Sequence, residues 1–230
     1  MKKLFHKKGF TLAEVLVASA ITVILLASVM AVFSSTSGII SSMKSNPFAD
    51  RIENSVCDYI RRSTEKANGY RVSGVAQSNL TAEAITLMSE LTCGTGESNR
   101  CLIVSNTEGA YRLYDLGAVT SGDIMTKIAN LTDYKVYNSE YYENMSCRLA
   151  LGQTMDSNSR VSYFNVTAQL FDSDGSNVGQ PTSTYFKMLN APDATNAQVK
   201  TAGLDDLTTA YPDTDSCIIF IYRIKDYTTA

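Results

Sequence analysis

From Phe10 to Phe33 the chain runs almost without interruption through apolar residues, and a single acid, Glu14, stands inside that run. At about 1.5 Å per residue a helix over this stretch is roughly 36 Å long, enough to cross a bilayer core of about 30 Å. A carboxylate in the apolar layer costs on the order of 2.5–3.5 kcal/mol on insertion scales, so an acid kept there points to a function and to a cationic partner. No Lys or Arg lies between Glu14 and Lys44. The partner must come from the short leader, from another chain, or from a new amine made by cutting the chain. Lys2, Lys3, Lys7 and Lys8 set the N-terminus on the cytoplasmic side of a membrane.

Two plainer readings of the stretch compete. A secretory signal peptide has an apolar core of about 7–15 residues followed by a small-residue cleavage site. Here the core is longer and holds an acid, and Val32-Phe33-Ser34 is a weak cleavage site. A simple single-pass anchor fits the length and the orientation. Both readings leave Glu14 without a role.

The basic leader, then Gly9-Phe10-Thr11-Leu12-Ala13-Glu14, then the long apolar run resemble the processing site of the type IV pilin family, which includes type II secretion and competence pseudopilins. The resemblance covers roughly residues 2–33, and nothing past residue 45 adds to it. It implies that a membrane-embedded prepilin peptidase cuts after Gly9 and methylates the new N-terminus, Phe10. It also implies that Glu14 pairs with the new amine of a neighbouring subunit, which would supply the cation the carboxylate calls for. Major pilins often interrupt the run with Gly or Pro. Here the next Gly is Gly38 and the first Pro is Pro47, which argues against partial melting of the upper helix.

Charge and composition narrow the function classes. The formal net charge is −3, and loss of the four leader lysines makes the mature chain more acidic still. An acidic head argues against generic nucleic-acid binding, which relies on Lys and Arg neutralising phosphates. Arg61, Arg62 and Lys66 are read as a solvated helix face. His6 is the sole histidine and lies in the leader, so the mature chain has no imidazole for general-base work, a catalytic triad or a His metal site. There is no phosphate-cradling Gly motif and no C-x-x-C unit. Asp172-Ser173-Asp174-Gly175 alternates oxygen ligands but misses the EF-hand template, and a hairpin turn explains it as well. No enzyme, cofactor or metal is expected. Five cysteines in an exported head suggest disulfides. Cys93 with Cys101, closing a short polar loop, is the first pair expected, and Cys147 with Cys217 the second.

Beyond the membrane run, Asn46-Pro47 reads as a helix start, with Asn46 as N-cap and Pro47 at the first helical position. Phe48, Ile52, Val56, Tyr59 and Ile60 recur at helical spacing, and Asn68-Gly69 should end the helix. Later segments read as strands: Cys101–Ser105 and Tyr111–Asp115 as a hairpin, then Tyr134–Tyr137, Ser146–Leu151, Val161–Phe171, Ser183–Met188 and Cys217–Ile224. Ser121–Leu131 reads as helical. Asn190–Asp215 reads as a long loop and a candidate partner surface.

The expected fold is therefore α+β, a long N-terminal helix packed on an antiparallel β-sheet head. Its parts are a cleaved leader (1–9), a transmembrane and assembly helix (10–33), a helical continuation with a kink allowed at Pro47 (34–69) and a β-rich head (70–230). What the resemblance implies is a minor-pilin-like filament subunit, with a secretion or competence pseudopilin as the alternative. It would be held first in the inner or cytoplasmic membrane, then in a cell-surface pilus or pseudopilus, with other pilin subunits as partners. A membrane-tethered extracellular enzyme or binding domain is the alternative of another class.

Overall fold

The structure, a computed structural model, describes residues 12–42, 47–107, 109–190, 192–193, 195–200 and 216–225. It divides into two compact units, Met1–Lys44 and Ser45–Ala230. In the first, helix α1 spans Leu12–Ser42. Its segment Leu12–Met30 is long and apolar enough to cross a membrane. Val15, Leu16 and Val17 follow one another at steps of about 100°, and each is more than half exposed. A helix apolar on all sides needs lipid or other helices around it.

The second unit opens with α2 (Pro47–Thr64). This helix is amphipathic. It buries Ala49, Ile52, Glu53, Val56, Cys57, Ile60 and Thr64, with Phe48 and Tyr59 packed partly buried beside them. Each large aliphatic side chain so covered contributes about 1.5–3 kcal/mol. The helix ends four residues before the expected Asn68-Gly69. The Asn68 backbone N–H is already taken by the Arg223 carbonyl, and Gly69 opens strand β1 (Gly69–Ala76). Asn46, the expected cap, lies outside the described residues.

Two sheets follow. The five-stranded one has the order β3-β2-β8-β1-β7, built from β2 (Glu97–Asn106), β3 (Tyr111–Val119), β7 (Ala197–Lys200) and β8 (Ser216–Lys225) with β1. Its pairs are antiparallel except β1 with β7, which is parallel. Strand β8 is central because Cys217–Tyr222 is apolar on both faces, as a strand covered on two sides must be. The second sheet is antiparallel, β4 (Ser146–Met155), β5 (Val161–Phe171) and β6 (Asn177–Phe186).

Alternation along β8 assigns the two cores. Ile218, Phe220 and Tyr222 enter the larger core, which α2, the inner face of the three-stranded sheet and one face of the five-stranded sheet enclose. Cys217, Ile219 and Ile221 point to the opposite face, closed by Leu80, Ala84 and Leu87 of α3 (Leu80–Glu90) and Ile124 of α4 (Ile124–Ala129). The fold is thus α+β as expected, with a mixed, mainly antiparallel arrangement in two sheets rather than one.

Helix α3 and strands β1 and β7 were not anticipated. Tyr134–Tyr137 is not a strand: a 3-10 turn at Leu131–Tyr134 leads into one isolated bridge, Lys135 with Tyr114. Strand β7 falls within the stretch read as a long loop, and residues 201–215 of that stretch lie outside the described residues.

One acid is fully buried in the larger core. Glu53 accepts hydrogen bonds from the Leu170 N–H and the Thr182 hydroxyl, each at 2.8 Å. Here the β5–β6 register shifts between Ala168 and Leu170. The intervening residues of β6 include Gly179, at φ 80°, and Pro181, which has no N–H to give. A side chain from α2 therefore supplies the acceptor that Leu170 uses. Burial pushes the Glu53 pKa up, opposed by its two hydrogen bonds.

Candidate functional site

Gly9 and Phe10, the expected cleavage and methylation positions, lie outside the described residues. Glu14 is in the first turn of α1 and exposed. An acid in that turn faces the partially positive end of the helix. Ala13, Val17, Ala18 and Ile21 line a shallow hollow beside it. The small side chains of Ala13 and Ala18 allow a second helix to approach closely.

Three hydroxyl side chains of the described run are satisfied within the helix. Ser19 donates to the Leu16 carbonyl at 2.9 Å, Thr22 to that of Ala18 at 2.8 Å and Ser28 to that of Ile24 at 2.9 Å. Hydroxyls that bond back to their own helix bring no unmet polar group into an apolar layer. Among these described residues of the run, Glu14 is the group that carries charge.

The cysteines fall into distinct environments, and neither expected disulfide is formed in the structure. Cys93 is exposed in the turn after α3, while Cys101 is buried on β2 with burial raising its thiol pKa. Cys147 and Cys217 cannot meet as expected. Cys147 lies in the core shared by α2 and the three-stranded sheet, and Cys217 lies on the far face of the five-stranded sheet. Alternation along β8 puts Cys217 on the face opposite Ile218, but which face Cys147 meets follows only from the strand pairing. Cys57, which carried no expectation, occupies the same core as Cys147.

In the Asp172 loop the carboxylates serve the turn. Asp172 accepts from the Ser173 N–H, Asp174 from the Ser176 N–H, and Gly175 sits at φ 82°. Among the described residues no three His, Cys, Asp or Glu side chains converge to hold a metal ion. Sequence reasoning missed Glu53, although its spacing from Ala49, Val56 and Ile60 puts it on the apolar face of α2.

Comparison with protein families matches residues 4–33 to the prokaryotic N-terminal methylation motif. No curated protein and no solved structure matches. In this segment the chain is similar to type IV pilin- and pseudopilin-type prepilins. The match supports a precursor of the kind that a prepilin peptidase processes and that assembles with other pilins.

Proposed function

We propose that this chain is a minor-pilin-like subunit of a type IV pilus or related filament, a secretion or competence pseudopilin being the near alternative. The observation that carries the reading is the methylation motif at residues 4–33 directly joined to a helix apolar on all sides. In this reading the peptidase cuts between Gly9 and Phe10 and methylates Phe10. The leader 1–9 is lost, and the helix 10–33 leaves the membrane to bundle with those of neighbouring subunits. Its continuation (34–69) carries the head (70–230) to the filament surface. Apolar side chains exposed in one chain become covered by other copies, so burial drives the bundling. Glu14 sets the axial position of each new subunit by meeting a neighbour's N-terminal amine, a contact that is strong only where water is excluded. The Cys93–Cys101 bridge belongs to the same proposal as a staple of the exported head, and the role of the chain is structural rather than enzymatic.

The test is intact mass and N-terminal sequencing of the protein from cells with and without a prepilin peptidase. The expected product with the peptidase begins at Phe10 and carries one methyl group. A working protein that keeps its lysine-bearing leader, or one cut after Phe33, overturns the reading.

A further inference from the structure

At the C-terminal end of α2 the head carries a groove of about 580 Å³. Arg62 enters it from α2, Lys66 from the turn that follows α2, Arg100 from β2 and Lys225 from the end of β8, and Tyr59 and Asp115 also line it. The β2–β3 register shifts between Cys101 and Leu102, beside Arg100, and on the facing strand Gly117 adopts φ 64°. The bulge bends the sheet at this corner, where the Tyr59 hydroxyl of α2 donates to the Asp115 carboxylate of β3.

The one carboxylate of the groove is already committed. Asp115 accepts from the Tyr59 hydroxyl and from the Gly117 N–H at 2.7 Å. Acids next to the lining residues in sequence or across the sheet pair with cations outside the groove, although Glu97 also faces Lys225 across the β2–β8 pair. Asp58 and Glu65 pair with Arg61 at 3.1 and 3.5 Å, and Glu97 pairs with Arg223 at 3.4 Å. With Lys225 partly offset by Glu97, Arg62, Lys66 and Arg100 leave the groove positive on a chain of net charge −3.

We infer that this groove binds carboxylates, namely an acidic segment on the head of a neighbouring subunit. The inference rests on the filament reading for its partner. Four cations hemmed by Asp58, Glu65, Asp115 and Glu97 make a short positive zone. A nucleic-acid backbone needs a longer track, since tight binders neutralise about 6–10 phosphates, and the surrounding acidic head repels a long polyanion. A few side-chain carboxylates fit the zone, and an overall acidic subunit presents them to its neighbour.

The experiment uses the full chain in detergent micelles with a fluorescein-labelled decaglutamate peptide, read by anisotropy, and a short DNA duplex of equal charge as the comparison. The peptide should bind and weaken as salt is raised toward about 0.3 M. Joint Arg62→Glu and Lys66→Glu reversal should cut its affinity by about tenfold or more. Lys225→Glu alone should cut it several-fold, and Arg51→Glu, at an exposed position away from the groove, should leave it unchanged. Arg62 and Lys66 are both exposed, so folding should survive, and a thermal melt of each variant checks this. Absence of peptide binding, indifference to the reversals, or tighter binding of the duplex each overturns the inference. Mass analysis of the same preparation separates the two claims. A correctly processed N-terminus without peptide binding removes the groove alone, and an unprocessed one removes the filament reading.

Discussion

Removing the carboxylate of Glu53 should cost the head much of its stability, whereas neutralising it in place should not. In Glu53→Ala two hydrogen bonds to a charged acceptor vanish, each worth about 1.5–3 kcal/mol, and the Leu170 N–H is left buried beside a new cavity. Relief from burying a charge offsets part of this, for a net loss of about 2–4 kcal/mol. In a domain of this size that lowers Tm by roughly 5–15 °C. Glu53→Gln keeps an acceptor for Leu170 and lets its amide donate to the Thr182 hydroxyl, so it should lie within about 1 kcal/mol of the parent.

The pH dependence gives a sharper test. Because the folded pKa of Glu53 is raised above 4.5, the native state binds more protons than the unfolded state between those values. The contribution of this group to stability is therefore greatest at low pH and is lost as pH rises through the folded pKa. The Gln variant lacks this contribution, so the stability of the parent relative to Glu53→Gln should fall as pH rises above about 4.5. The assay is thermal and urea unfolding of the fragment Ser45–Ala230, followed by circular dichroism at a series of pH values. A relative stability that stays flat or climbs with pH refutes the reasoning, as does an Ala variant as stable as the parent.

Glu14→Ala should block incorporation into filaments while leaving the head's melting temperature unchanged; normal incorporation, seen by immunoblot of sheared filaments, removes the pairing role. Burial pushes the Cys57 thiol pKa up to about 12 and raises that of Cys147 as well. Both should resist iodoacetamide at pH 8 in the folded protein and react once it is unfolded, since only about one Cys57 in ten thousand is then a thiolate. Peptide mapping without reductant should recover a Cys93–Cys101 linkage and no Cys147–Cys217 linkage. Arg71 is nearly buried, pairs with Glu90 at 3.2 Å and donates to the Thr195 carbonyl at 2.8 Å just ahead of β7. Arg71→Met should cost about 2–3 kcal/mol, with faster hydrogen exchange over Ala197–Lys200 as the local readout.

Local pattern was enough for several features that depend on neighbours along the chain, though not for α3 or the turn at Leu131–Tyr134. The charge, aromatic and glycine spacing at the N-terminus, the apolar run, the amphipathic face at Ile52, Val56 and Ile60, and the strand at Val161–Phe171 are all written in residues a few positions apart. Their physical basis is equally local, in helix and strand periodicity and the cost of a charge in an apolar layer. Tertiary structure alone decided that Cys147 and Cys217 sit on opposite sides of a sheet, because that depends on which strands pair. It also decided that Glu53 answers a donor 117 positions away at a bulge, and that Arg62, Lys66, Arg100 and Lys225 meet in one groove. Contacts between distant residues follow from strand order and register, and a single sequence fixes neither until the chain has closed on itself.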